Sequence, residues 1–183
     1  MNLGFPSSLE IILGPMFSGK STALIQKVRR YQAMDMKILV IKPAIDKRYS
    51  DNKKVVTHNL DSIDCEVCSK LDSFEKAMIE KYQIIAIDEG QFFDDLKRMV
   101  LYWVETLQKK VIISGLDGDY QRKPIGQLLE LLPYADSFTK HTAFCSVCKD
   151  GTPGLFSKRI VKEGETVVIG GADKYMAVCR KHY

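Results

Sequence analysis

Residues Gly14-Pro15-Met16-Phe17-Ser18-Gly19-Lys20-Ser21 match the pattern glycine, four residues, glycine-lysine-serine/threonine. Such a loop works only between a buried strand and a helix. Its backbone N–H groups must surround a β-phosphate while the helix N-terminus adds its positive end. The flanks comply: Leu9 to Leu13 is a short apolar run, and Lys20 to Met34 carries Ala23, Leu24, Val28 and Tyr31 near helical spacing. In this frame Lys20 faces the β and γ oxygens of ATP, and the Ser21 hydroxyl faces Mg²⁺.

The pattern then repeats. Lys37 to Ile41 reads as a second buried strand, stopped by Pro43; Asp72 to Lys81 reads as a helix, Ile84 to Ile87 as a strand, Phe93 to Lys109 as a helix and Val111 to Ile113 as a strand. Strands apolar on both faces and separated by helices imply a parallel sheet covered on two sides. The fold class expected is therefore α/β, a P-loop parallel sheet with a RecA-like NTPase core. Residues 44 to 70 are polar and irregular, with one short strand at Val55-Val56-Thr57, and read as a mobile flap. From Thr142 the chain has short segments of Cys, Gly and Lys and no helical periodicity, so residues 1–141 and 142–183 are expected to form an ATP-binding domain and a small zinc-binding domain.

With 183 residues, 45% of them hydrophobic, one substantial core is affordable. The 27 basic and 23 acidic residues are interspersed, and the net charge of +4 with a pI near 8.7 is mild. No basic stripe points to nucleic acid as a partner. No hydrophobic run reaches membrane-spanning length and no signal segment opens the chain, so a cytoplasmic protein is expected.

A phosphate loop needs a second carboxylate for its metal, at the end of a neighbouring buried strand. Asp88, after Ile84-Ile85-Ala86-Ile87, fits. Glu89 beside it would polarise water in an ATPase or accept a hydroxyl proton in a kinase, and spacing alone does not separate these. Cys145-x-x-Cys148 and Cys179-x-x-His182 are two ligand pairs about thirty residues apart, the spacing of a structural Zn²⁺ site. The competing readings are a Cys145–Cys148 redox pair, or buried thiols with a surface His182. Cys65 and Cys68 form another C-x-x-C unit, read as ordinary partly buried thiols. The alternative of another class is a P-loop ATPase whose zinc ribbon binds nucleic acid.

Taken together, Gly14 to Ser21, Asp46-Lys47-Arg48-Tyr49-Ser50, Ile87-Asp88-Glu89-Gly90-Gln91-Phe92-Phe93, Leu116-Asp117-Gly118, Gln121-Arg122-Lys123-Pro124 and Val168-Ile169-Gly170-Gly171-Ala172-Asp173-Lys174-Tyr175 span nearly the whole chain. In their order and in their spacing to the cysteines they resemble the thymidine kinases shared by poxviruses, many bacteria and the animal cytosol. The resemblance implies Glu89 as the base for the 5′-hydroxyl of thymidine, Asp88 and Ser21 on Mg²⁺, and Asp46, Arg48 and Gln91 at the nucleotide, with Arg48 beside the transferring phosphoryl group. It implies that the segment between the zinc-ligand pairs is a lasso closing over the nucleoside. Ser157, Val168, Ile169, Gly170 and Tyr175 would line the thymine site, and Met16, Phe92, Leu116 and Tyr120 would form its apolar walls.

The resemblance further implies deoxyuridine as a second substrate, a homotetramer, and feedback inhibition by dTTP. This sequence departs from the family in several places. His182 stands where animal and viral members have Cys, and Thr57-His58-Asn59 replaces Thr-His-Asp. Tyr120 replaces a common Phe, so its hydroxyl needs a partner if buried. Gly151-Thr152-Pro153-Gly154 reads as a short insertion, and no long regulatory tail is expected beyond Tyr183.

Overall fold

Strands that are apolar on both faces need cover on both sides. The computed structural model, in which residues 6–46, 53–56, 61–161 and 170–183 are described, supplies it. Strand β1 (Ser8–Gly14) passes through the phosphate loop into α1 (Lys20–Gln32) and then β2 (Ile38–Pro43). An antiparallel pair, β3 (Lys54–Val56) with β4 (Ser62–Asp64), precedes β5 (Glu66–Cys68). A 3-10 turn at Leu71–Ser73 and α2 (Lys76–Ile79) lead to β6 (Ile84–Ile87). After a 3-10 turn at Gly90–Phe92, α3 (Leu96–Leu101) runs into a π turn at Tyr102–Thr106, followed by β7 (Lys110–Leu116), a 3-10 helix at Leu128–Tyr134 and β8 (Ser137–Lys140). Four short strands complete the chain: β9 (Ala143–Phe144), β10 (Pro153–Gly154), β11 (Phe156–Arg159) and β12 (Tyr175–Val178).

The main sheet has the order β5-β2-β6-β7-β1-β8, and every neighbouring pair is parallel. Period-two alternation divides its side chains between two cores. Ile12, Ile84, Ala86, Ile112 and Val40 pack beneath α1 with Leu24, Ile25 and Val28. Leu9, Ile11, Ile85, Ile87, Val111 and Ile113 meet Leu71, Ile79, Phe93, Leu96 and Trp103 on the other face. All carboxyl ends of the parallel strands lie on one edge, where ligand sites of open α/β sheets form. β7 separates the phosphate-loop strand from the strand that ends before Asp88.

The structure corrects several sequence boundaries. The segment 44–70 is not simply an irregular flap: it carries the β3–β4 pair and β5, an edge strand of the main sheet. Three-residue strands are too short to show periodicity. Pro43 does not precede the end of β2 but is its last residue, paired with Cys68. The helix expected over 72–81 is broken by Phe74, whose backbone is extended at φ −86° and ψ 111°. The helix expected from Phe93 begins at Leu96 and ends as the π turn around the fully buried Trp103. Strand β8 and the helix at 128–134 were not expected; β8 is exposed along its whole length, so no apolar pattern marks it.

Beyond the sheet, β9 pairs with β10 and β11 with β12, both antiparallel. Cys145, Val178 and Cys179 form a small apolar cluster there, against Cys148, Phe156, Met176 and Tyr183. Among the described residues no helix is long and apolar enough to cross a membrane.

Candidate active site and metal centre

The phosphate loop leaves β1 at Gly14, whose φ of +151° and close approach leave no room for a side chain: a Cβ there would lie 2.6 Å from the His141 carbonyl oxygen. The loop is drawn together by the Pro15 carbonyl, which accepts hydrogen bonds from Ser18 Oγ at 2.8 Å and Lys20 Nζ at 2.7 Å. Phe17 takes a positive φ of 65° and stays partly exposed, while Met16, Ser18 and Lys20 are buried. His141 closes the outer side through Nδ1 and the Ser18 carbonyl at 3.2 Å. A carbonyl only accepts, so that nitrogen carries the proton.

Asp88 continues the ladder of β6 by donating its N–H to the Ile41 carbonyl at 2.9 Å. Its carboxylate accepts the Ser21 hydroxyl, shared between both oxygens at 3.0 Å, and also the hydroxyl of Ser114. Thus α1, β6 and β7 converge on one buried carboxylate. Glu89 follows with a left-handed backbone, φ 51°, a conformation that costs a non-glycine residue about 1–3 kcal/mol. Its Oε2 accepts the Gln91 side-chain amide at 2.6 Å, and Gln91 Oε1 accepts the Leu116 N–H at 3.0 Å. Gln91 therefore braces Glu89 against the end of β7. Asp88, Glu89 and Gln91 are all at least 95% buried, an expensive placement for carboxylates outside a functional site.

The C-terminal strands reach the same edge. Ser157 on β11 is buried and its Oγ accepts the Met16 N–H at 2.9 Å, joining the phosphate loop to the segment between the ligand pairs. Leu116 ends β7 level with Gly14, and Phe92 is half-buried just after Gln91. Tyr120 and Tyr175 are brought together by Arg159, whose guanidinium lies 3.8 Å from the Tyr120 ring centroid and donates to the Tyr175 hydroxyl at 3.2 Å. The Tyr120 hydroxyl finds a partner in the Gln121 amide at 2.9 Å. Gly170 and Gly171 turn back into β12, with the Gly171 carbonyl accepting the N–H groups of Lys174 and Tyr175. Asp46 closes the turn after β2 by donating its N–H to the Pro43 carbonyl. Arg48, Val168 and Ile169 lie outside the described residues, as do Thr57, His58 and Asn59.

Cys145, Cys148, Cys179 and His182 each offer one ligand atom, all within 4.8 Å of one another. His182 Nδ1 lies 3.6, 3.2 and 3.3 Å from the sulfurs of Cys145, Cys148 and Cys179, and the last two sulfurs are 3.8 Å apart. Tetrahedral zinc with ordinary bond lengths places sulfurs about 3.8 Å apart and sulfur and nitrogen about 3.6 Å apart. The donor set fits Zn²⁺. Burial raises the Cys145 thiol, but backbone N–H groups of Cys148, Cys179 and Val147, with His182, outweigh it and bring it down to about 5. Cys148 moves the other way, pushed up to about 11 by burial and by its hydrogen bond to Cys145, so the two thiols titrate as a pair in which Cys145 ionises first. The cysteines are all free, and Cys65 and Cys68 lie apart from the cluster, with burial pushing both thiols up to about 11. Gly151 to Gly154, read as an insertion, forms the turn and return strand of the first ligand pair, where the Cys145 N–H meets the Thr152 carbonyl.

A model of the family described as thymidine kinase matches residues 7–183 of this chain. The chain belongs to the thymidine kinase family. The cytosolic thymidine kinase of Homo sapiens is 44% identical over 96% of this chain and 72% of its own length. That of Myxoma virus (strain Lausanne) is 42% identical over 98% and 97%, and that of Oryza sativa subsp. japonica 40% over 98% and 67%. A solved structure of Bacteroides Pif1 bound to ssDNA overlaps 69% of this chain at 16% identity and a TM-score of 0.36, too little to bear on fold or function.

Within the thymidine kinase frame, the sequence missed Ser114, His141 and Arg159. Ser114 had a signal, a lone hydroxyl inside the apolar run of β7. His141 and Arg159 had none, because their partners are 123 and 16 residues away in the chain.

Proposed function

We propose that this chain transfers the γ-phosphoryl group of ATP to the 5′-hydroxyl of thymidine, with deoxyuridine as a second acceptor. The activity is that of a thymidine kinase. The observation that carries the reading is the division of labour between two adjacent buried carboxylates. Asp88 is tied to Ser21 of the phosphate loop, whereas Glu89 is turned by its left-handed backbone and braced by Gln91.

Gly14 to Ser21 would hold the phosphates, with Asp46, Arg48 and Gln91 completing the nucleotide side. Ser21 and Asp88 would hold Mg²⁺, which neutralises charge on the phosphate oxygens when bound. Glu89 would accept the 5′-hydroxyl proton as the oxygen attacks. Arg48 would face charge developing on the transferring group. Met16, Phe92, Leu116, Tyr120, Ser157, Val168, Ile169, Gly170 and Tyr175 would enclose the nucleoside, with Arg159 stacking Tyr120. The cluster at Cys145, Cys148, Cys179 and His182 would hold structural Zn²⁺, making residues 142–183 a metal-tethered lasso on the domain formed by 1–141. A homotetramer, feedback inhibition by dTTP, a cytoplasmic setting and a role in pyrimidine salvage belong to the same proposal.

The test is ATP-dependent phosphorylation across the natural nucleosides. Thymidine and deoxyuridine are the acceptors expected; indifference to thymidine, or ATP hydrolysis stimulated by DNA, overturns the reading. Glu89→Gln is expected to lower kcat by at least about 100-fold while thymidine still binds. Turnover near that of the unaltered chain removes Glu89 as the base.

A further inference from the structure

Lys42 has no part in the site described above, yet it is only 6% exposed and lies near the end of β2. Ile41 is level with Ile87, so Lys42 is level with Asp88, and the Asp88 N–H bonds to the Ile41 carbonyl between them. Alternation sets the direction. Val40 and Ala86 both pack beneath α1. Two residues further on, Lys42 and Asp88 project from that same face, where α1 brings Ser21 to Asp88. The charges act on a common neighbour: burial raises the Cys65 thiol to about 11, Lys42 opposes that rise and Asp88 adds to it.

A buried ammonium is normally paired. Among the described residues the Lys42 ammonium makes no hydrogen bond or ion pair and keeps a small contact with solvent, and Asp88 is occupied by the hydroxyls of Ser21 and Ser114. The cation thus stands beside the carboxylate assigned to the metal, on the strand that leads directly into Asp46, with no direct hydrogen bond to that carboxylate among the described residues. An anion brought by the substrate satisfies all three conditions.

We propose that Lys42 is a further catalytic residue whose ammonium contacts an oxygen of the γ-phosphoryl group of ATP during transfer. This deepens the kinase reading and rests on it. The bond between the γ-phosphorus and the β–γ bridging oxygen breaks, and its electron pair leaves with ADP. The thymidine 5′-oxygen bonds to the γ-phosphorus, and its proton passes to the Glu89 carboxylate. Lys42 keeps its proton throughout and offsets negative charge on the non-bridging oxygens.

The test uses Lys42→Met, with Lys42→Gln as a second variant, in titration calorimetry with Mg²⁺ and either β,γ-imido ATP or ADP. The imido analogue is expected to bind at least about tenfold more weakly to the variants, the loss of one charge-assisted hydrogen bond. ADP, which has no γ-phosphate, is expected to bind as it does to the unaltered chain. Lys42→Met should still fold, with a melting temperature within a few degrees of the unaltered chain, because it removes no protein hydrogen bond and keeps the buried stem. In thymidine phosphorylation kcat should fall about 100-fold with the KM for thymidine unchanged. Equal affinity of variant and unaltered chain for the imido analogue overturns the proposal, as does parallel loss of both nucleotides. Failure of both variants to fold also overturns it, since the ammonium would then hold the structure. If the unaltered chain ignores thymidine, the kinase reading fails on its own, and the comparison of ADP with the imido analogue still judges Lys42.

Discussion

At the scale of single residues, the site depends on side chains that hold other side chains. Ser114 is fully buried and donates to Asp88, the carboxylate that also takes the Ser21 hydroxyl. Groups that orient a metal ligand are typically worth 10–100-fold in metal affinity. Ser114→Ala is therefore expected to raise the Mg²⁺ concentration for half-maximal phosphorylation by about tenfold, leaving the KM for thymidine unchanged. A Mg²⁺ titration of initial rates checks this; an unchanged midpoint means that Ser21 alone orients Asp88. Gln91 acts similarly on Glu89, but it was legible in the motif after β6, whereas Ser114 was visible only as a polar break in an apolar strand. Tyr120 shows the opposite case: its hydroxyl predicted a partner, and the neighbouring Gln121 supplies it.

Among the elements, turns rather than strands decide whether the site is assembled. Gly126 sits at φ +59° with its α-carbon against the Gln91 backbone, so a Cβ there would collide with the Gln91 carbonyl oxygen. Gly126→Ala combines a left-handed alanine with that collision and is expected to destabilise the fold by at least about 1–2 kcal/mol. For a chain of this size that is roughly 2–8 °C in melting temperature. Because the collision falls on Gln91, kcat should drop as well. Thermal unfolding with parallel kinetics decides; retention of both melting temperature and kcat would mean that the loop 117–127 yields freely. The buried strands β1, β2, β6 and β7 were legible because three or four consecutive apolar residues bounded by turn signals have few alternatives inside a parallel sheet. β5 and β8 were not, since one is three residues long and the other exposes every side chain to solvent.

For the whole molecule, the C-terminal strands fold back onto the phosphate loop, through Ser157 and Met16. The apolar cluster beneath that segment is small, so metal binding is expected to supply much of its stability. Stripping zinc with a chelator should abolish hydrogen-exchange protection in β9 to β12 while β1, β6 and β7 remain protected, and thymidine phosphorylation should cease. Exchange mass spectrometry and metal analysis report this together; full protection at zero zinc would assign the cluster no structural role. Local groupings were readable in advance: the loop with its glycines and lysine lies between strand and helix, the two spaced pairs of soft ligands come together as a donor set that fits zinc, and the acid after an apolar strand meets Ser21 of the loop. Those signals are short-range, each carried by residues within a few positions of one another. Which distant groups complete them depends on strand order, and strand order is a property of the packed sheet. Only the tertiary structure placed β7 between β1 and β6, bringing Ser114 to Asp88, and β2 beside β6, setting the buried Lys42 level with Asp88.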